Sequence, residues 1–139
     1  MTLDLQDSIV IAIQIIALIL PTLGVYPYRI RTKNRNLIMH GFLCVLALIL
    51  NLITIFWVMI PTFSSTIAYM GEIPILQTAI ILLHASFGAV SIILGSIIIA
   101  SWIIHPLGEL SCSKTWRLMI PIYIIWIVTL ILGLIIVFY

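Results

Sequence analysis

Charge is what this 139-residue chain has least of: four acidic and six basic residues, with only two cysteines beside them. So little charge cannot clothe a soluble fold of this size in water, and 64% hydrophobic residues with a mean hydropathy of +1.36 exclude one. The carboxylates Asp4, Asp7, Glu72 and Glu109 fall in termini and loops, so no pair is placed for general acid and base work. A Gly-rich phosphate loop, a nucleophile elbow and a metalloprotease histidine pair are also missing, and catalysis by the isolated chain is not expected. Cys44 and Cys112 are too few for a disulfide framework, and both are expected reduced near one membrane face. Asp4 and Asp7 stand where a cleavable signal peptide carries its basic start, so the first apolar run is expected to remain as a helix.

What is present is four long apolar runs, residues 8–26, 37–61, 74–104 and 116–139. Each reaches the roughly 20 residues that carry a helix across about 30 Å of hydrocarbon. The fold class is therefore all-α: one membrane-spanning four-helix bundle, multi-pass in the plasma membrane. All the basic residues, Arg29, Arg31, Lys33, Arg35, Lys114 and Arg117, lie in the first and third breaks. Because Lys and Arg collect on the cytoplasmic side, those breaks are expected inside and both termini on the outer side. Anionic lipid headgroups are the expected contacts of this charge, and nucleic acid is not an expected partner.

Punctuation refines the spans. Pro21 is expected to kink the first, and Pro61 with the turn-rich stretch from Thr62 to Thr66 to end the second. Pro106 and Gly108 stop the third, and Pro121 sits in the first turns of the fourth. In lipid no hydrophobic drive brings helices together, so small and polar residues mark the faces turned inward. His40, Cys44, Ala47, Asn51 and Thr54 recur at steps of four and three, within about 40° of one direction. Gln77, His84, Gly88, Ser91, Gly95 and Trp102 form a similar stripe on the third span, and these two faces are expected to meet, directly or across something bound. Gln14, Ala17, Pro21 and Gly24 mark the first span, and Trp126, Thr129 and Gly133 the fourth.

His84 lies about ten residues into its span, near mid-membrane, where an imidazole is costly unless it is paired. One reading makes it an axial ligand of a haem b, with His40 opposite and Gly88, Ser91 and Gly95 clearing a groove for the macrocycle. His40 would then lie about 6 to 10 Å from His84 in depth. Arg35, Arg117 and their basic neighbours would receive the propionates. Asn51, Gln77 and Ser91 would supply hydrogen bonds around the haem. The plainer reading is that His84 bonds to Asn51, Gln14 or Thr129, with Gly88 and Gly95 serving helix contact. His105 stands about 31 Å along the helix from His84, too far to share its iron, and is an alternative partner for His40. A minor alternative is copper or zinc on His40, Cys44, His105 and Cys112.

The segments Asn34-Arg35-Asn36-Leu37-Ile38-Met39, Ile81-Leu82-Leu83-His84 and Arg117-Leu118-Met119-Ile120-Pro121-Ile122-Tyr123 follow one another in an order that resembles a family of small polytopic membrane proteins. That family includes an assembly factor for haem-copper oxidases. The resemblance covers about residues 30–139 and carries over His84, Arg35, Arg117 and Pro121. Asn34 and Cys112 stand where the family has two further histidines, so a site made from all three is not implied. What the resemblance implies is a respiratory-chain setting. Two functions follow as expectations: a haem b protein or small subunit for electron transfer or haem handling, or a cofactor-free accessory subunit or assembly factor. Both call for a larger membrane complex as partner, since almost no mass lies outside the bilayer. A small exporter falls behind them, because no acidic residue is embedded in a span.

Overall fold

A computed structural model describes residues 5–25, 35–104 and 112–138. Helix α1 runs Leu5–Val25 and α2 runs Arg35–Thr54, continuing through a π-helical turn, Ile55–Met59, into α3, Ile60–Ala68. After a short turn come α4, Ile75–Ile104, and α5, Cys112–Phe138. These make four passes long and apolar enough to cross a membrane, with no strand among the described residues.

Two boundaries differ from the sequence expectation. The second pass does not end at Pro61 but extends to Ala68. Proline has no N–H to donate and its ring collides with the carbonyl one turn back in a regular helix. Here the turn just before it widens, with the Ile60 N–H donating to Ile55 O in an i to i−5 bond, and the helical backbone runs on through Met59 and Ile60 into α3 with Pro61 in its first turn. The hydroxyls beyond it stay inside the helix as well: Ser65 Oγ and Thr66 Oγ1 both donate to Thr62 O at 2.8 Å. Helix α5, in turn, starts at Cys112, which puts Cys112 in a helix instead of a connection, while the apolar span it carries runs from Arg117, beside the expected start near Trp116. Pro21 and Pro121 both lie within helices that continue through them.

The chain turns sharply between α3 and α4. Tyr69 N–H reaches Thr66 O at 3.1 Å and Glu72 N–H reaches Tyr69 O at 2.9 Å, after which Thr78 N–H to Pro74 O opens α4.

Helix α1 packs along α2, and α4 along α5, as two hairpins; α2 meets α4, and α1 meets α5, over narrower seams. The interior is small and largely polar: Gln14, His40, Asn51, Thr54, Ser91 and Thr129 are buried together with Ala17 and Ala47. Large apolar side chains such as Ile9, Phe42, Ile93 and Ile131 point outward. That distribution inverts the soluble one, as packing in hydrocarbon requires, because small residues let backbones approach and polar ones find partners only inside.

Candidate functional site

The inward stripes divide their work between the two hairpins. In the first, Gln14 Nε2 on α1 donates to Asn51 Oδ1 on α2 at 3.0 Å, within a seam where Ala17 and Ala47 let the helices close. In the second, His84 on α4 bonds through Nδ1 to the Thr129 carbonyl of α5 at 2.9 Å. A carbonyl only accepts, so Nδ1 carries a proton and donates it. Gly133 makes this approach geometrically feasible. A Cβ there would lie 3.0 Å from His84 Cε1, so a side chain one turn beyond Thr129 would crowd the ring that reaches its carbonyl. Gly88 serves the same seam, where an added Cβ would meet Thr129 Cγ2 at 3.5 Å. Thr129 Oγ1 turns back on its own helix to Ile125 O.

Between the hairpins the contact is of another kind. The Trp102 indole of α4 lies directly against the backbone of Gly41 on α2, so closely that a Cβ at position 41 would overlap the ring. On the other side Tyr123 of α5 meets Thr22 of α1 at 2.6 Å. Thr22 Oγ1 already donates to Leu18 O, which makes the tyrosine the donor.

Behind these two contacts lies a half-open cleft of about 490 Å³, walled by the end of α1, by α2 from His40 to Asn51, by α4 from Ser91 to Ile99 and by α5 from Met119 to Trp126. Its polar lining comprises Thr22, His40, Cys44, Asn51, Ser91 and Tyr123, and the rest is apolar. Cys44 Sγ stands 3.6 Å from His40 Nε2. His40 Nδ1 is buried with no hydrogen-bond partner among the described residues.

No family model, no curated protein and no solved structure matches this chain. The site is therefore read from its own geometry.

That geometry separates residues that the haem reading joins. Gly41 against Trp102 puts the start of α2 beside a position 18 residues, about 27 Å, along α4 from His84. The depth offset of 6 to 10 Å expected between His40 and His84 is thus a large underestimate, and one iron cannot take both as axial ligands. The residues expected around it disperse in the same way. Gly88 sits in the α4–α5 seam with His84, while Ser91, Asn51 and His40 face the cleft, whose lining does not include His84. Gln77 is half-buried in the first turn of α4. Arg117 is exposed at the start of α5. Arg29, Arg31, Lys33 and His105 lie outside the described residues, as do the side chains of Arg35 and Cys112. Of the four metal ligands considered, only His40 and Cys44 can be placed together, and no group of three metal-ligating side chains occurs among the described residues. The arrangement does not fit a haem shared by His84 and His40.

Thr129 is one of the three partners expected for His84, through its backbone carbonyl and not its hydroxyl. The Thr22 pair with Tyr123 and the Gly41 contact with Trp102 were not expected; for the second the signal was a glycine and a tryptophan at the matching ends of two stripes.

Proposed function

We propose that this protein is an accessory subunit or assembly factor of a larger membrane complex, in the respiratory-chain setting that the family resemblance implies. Its inward polar residues hold helices together and do not grip an iron. The observation that carries this reading is the His84 bond to the Thr129 carbonyl over Gly133: the costliest polar group of the membrane interior is satisfied inside one hairpin. Gln14 with Asn51 and Tyr123 with Thr22 behave alike, each joining two helices. What remains is a thin bundle whose flanks are apolar along their whole length, suited to lying against other membrane helices as well as lipid. On this reading it sits in the plasma membrane with the basic connections inside and both termini outside.

The test is to crosslink the tagged, full-length chain in its native membranes, purify it and identify what is attached by mass spectrometry. Recovery of subunits or maturation factors of a respiratory complex is the expected result. A chain recovered only with itself and lipid overturns the proposal. An optical spectrum of the same preparation, oxidised and then reduced, bears on the competing haem function. Soret and alpha bands that disappear in His84→Ala would restore it.

A further inference from the structure

The cleft between the hairpins holds polar groups that the helix contacts do not use. Ser91 and Asn51 are 6% and 7% exposed, and both line it. Asn51 spends its carbonyl oxygen on Gln14, which leaves both N–H donors of its amide. The Ser91 hydroxyl stands on the cleft wall, and on the same wall His40 Nδ1 is buried with no hydrogen-bond partner among the described residues. The Ser91 hydroxyl and the Asn51 amide thus stand in a mostly apolar enclosure that they share with His40, Cys44, Thr22 and Tyr123, with no Asp, Glu, Lys or Arg in its lining. Buried donors without acceptors are costly in such surroundings, so a ligand that accepts from them is favoured and an ionic one is not. The volume, about 490 Å³, lies in the range of small-molecule sites. Trp126 and Tyr123 add aromatic walls, which favour a flat ring. Gly95 leaves the floor open, since a Cβ built there meets nothing within 4 Å. The cleft is half-open, which leaves room for an apolar tail to extend out of it.

We propose that this cleft binds a neutral ring dione of the lipid-quinone class, its carbonyl accepting from Ser91 and Asn51 and its ring lying beside Trp126. The purified full-length protein in detergent is titrated with a decyl-substituted benzoquinone, and in parallel with dioctanoylglycerol, an uncharged lipid with ester carbonyls and no ring. Tryptophan fluorescence and thermal stability are both followed. The expected result is saturable quenching with one quinone per chain, accompanied by a rise in melting temperature that the acylglycerol does not match. Ser91→Ala, which alters little else, should weaken quinone binding about three- to tenfold, the worth of one hydrogen bond. Gly95→Leu fills the floor without touching the backbone packing and should remove the saturable phase. Quenching that never saturates, that is unchanged in Gly95→Leu, or that is outdone by a stronger response to the acylglycerol would overturn the proposal.

Discussion

At the scale of single residues, two glycines decide how near the helices can come. Gly133 lets the His84 ring reach the Thr129 carbonyl, and a methyl at that position would press on Cε1 at 3.0 Å. The ring cannot slide away freely because its Nδ1 is held. Gly133→Ala is therefore expected to lower stability by about 1 kcal/mol or more through overpacking, even though alanine is the better helix former. In a His84→Ala background the same change loses its obstacle, and the helix-propensity gain of about 1 kcal/mol should show as stabilisation. Unfolding of the four variants in mixed micelles measures this coupling, and a Gly133→Ala effect of the same sign in both backgrounds would exclude the contact as its cause. Gly41 offers the sharper case. Any side chain there collides with the Trp102 indole, so Gly41→Ala should cost about 1–3 kcal/mol, and Trp102→Leu should recover part of it.

At the scale of elements, hydropathy and length were enough to find four passes, because the cost of an unpaired backbone in lipid leaves a helix as the only form for such a run. The 100° periodicity was enough to say which side of each helix turns inward: His40, Ala47, Asn51 and Thr54 are all buried. It could not say what each side would meet. The stripes of α2 and α4 do share one cleft, His40, Cys44 and Asn51 on one side and Ser91 and Gly95 on the other, but the bonds run elsewhere: Asn51 pairs with Gln14 of α1 and His84 with a carbonyl of α5, and a backbone acceptor leaves no mark in a pattern of side chains. Pro61 misled for a local reason, since its usual role as a terminator is cancelled by a π turn that the amino-acid types do not announce. That account is testable. With Pro61→Ala the widened turn is no longer required, and the amides of Ile60–Ala68 should exchange with deuterium more slowly than in the parent. Unchanged protection would mean that the turn has another cause. Within the first hairpin, Gln14→Leu strands an Asn51 acceptor and should destabilise by about 0.6–1.7 kcal/mol. Replacing both residues by leucine should cost less than the sum, since no buried polar group is then left alone.

At the scale of the whole molecule, the bundle is two tightly paired hairpins leaning on each other, and the cleft is where they part. Each hairpin carries its own polar clasp, Gln14 with Asn51 in one and His84 with Thr129 in the other. The contacts between them include Gly41 with Trp102 and Thr22 with Tyr123, on two different seams. If the hairpins are the folding units, a chain divided between the exposed residues Gly71 and Glu72 and coexpressed as two pieces should reassemble, the tagged second piece retaining the first through purification. Joining Trp102→Ala to Tyr123→Phe removes the bulk of one contact and the donor of the other while leaving both clasps in place. Retention of the first piece should then fall several-fold with helical content by circular dichroism unchanged. Gln14→Leu, which acts inside a hairpin, should leave retention near its starting level. Equal loss from both sets of substitutions would mean that the four helices form one cooperative body, and the cleft would then be a dent in a single core instead of a gap between two parts.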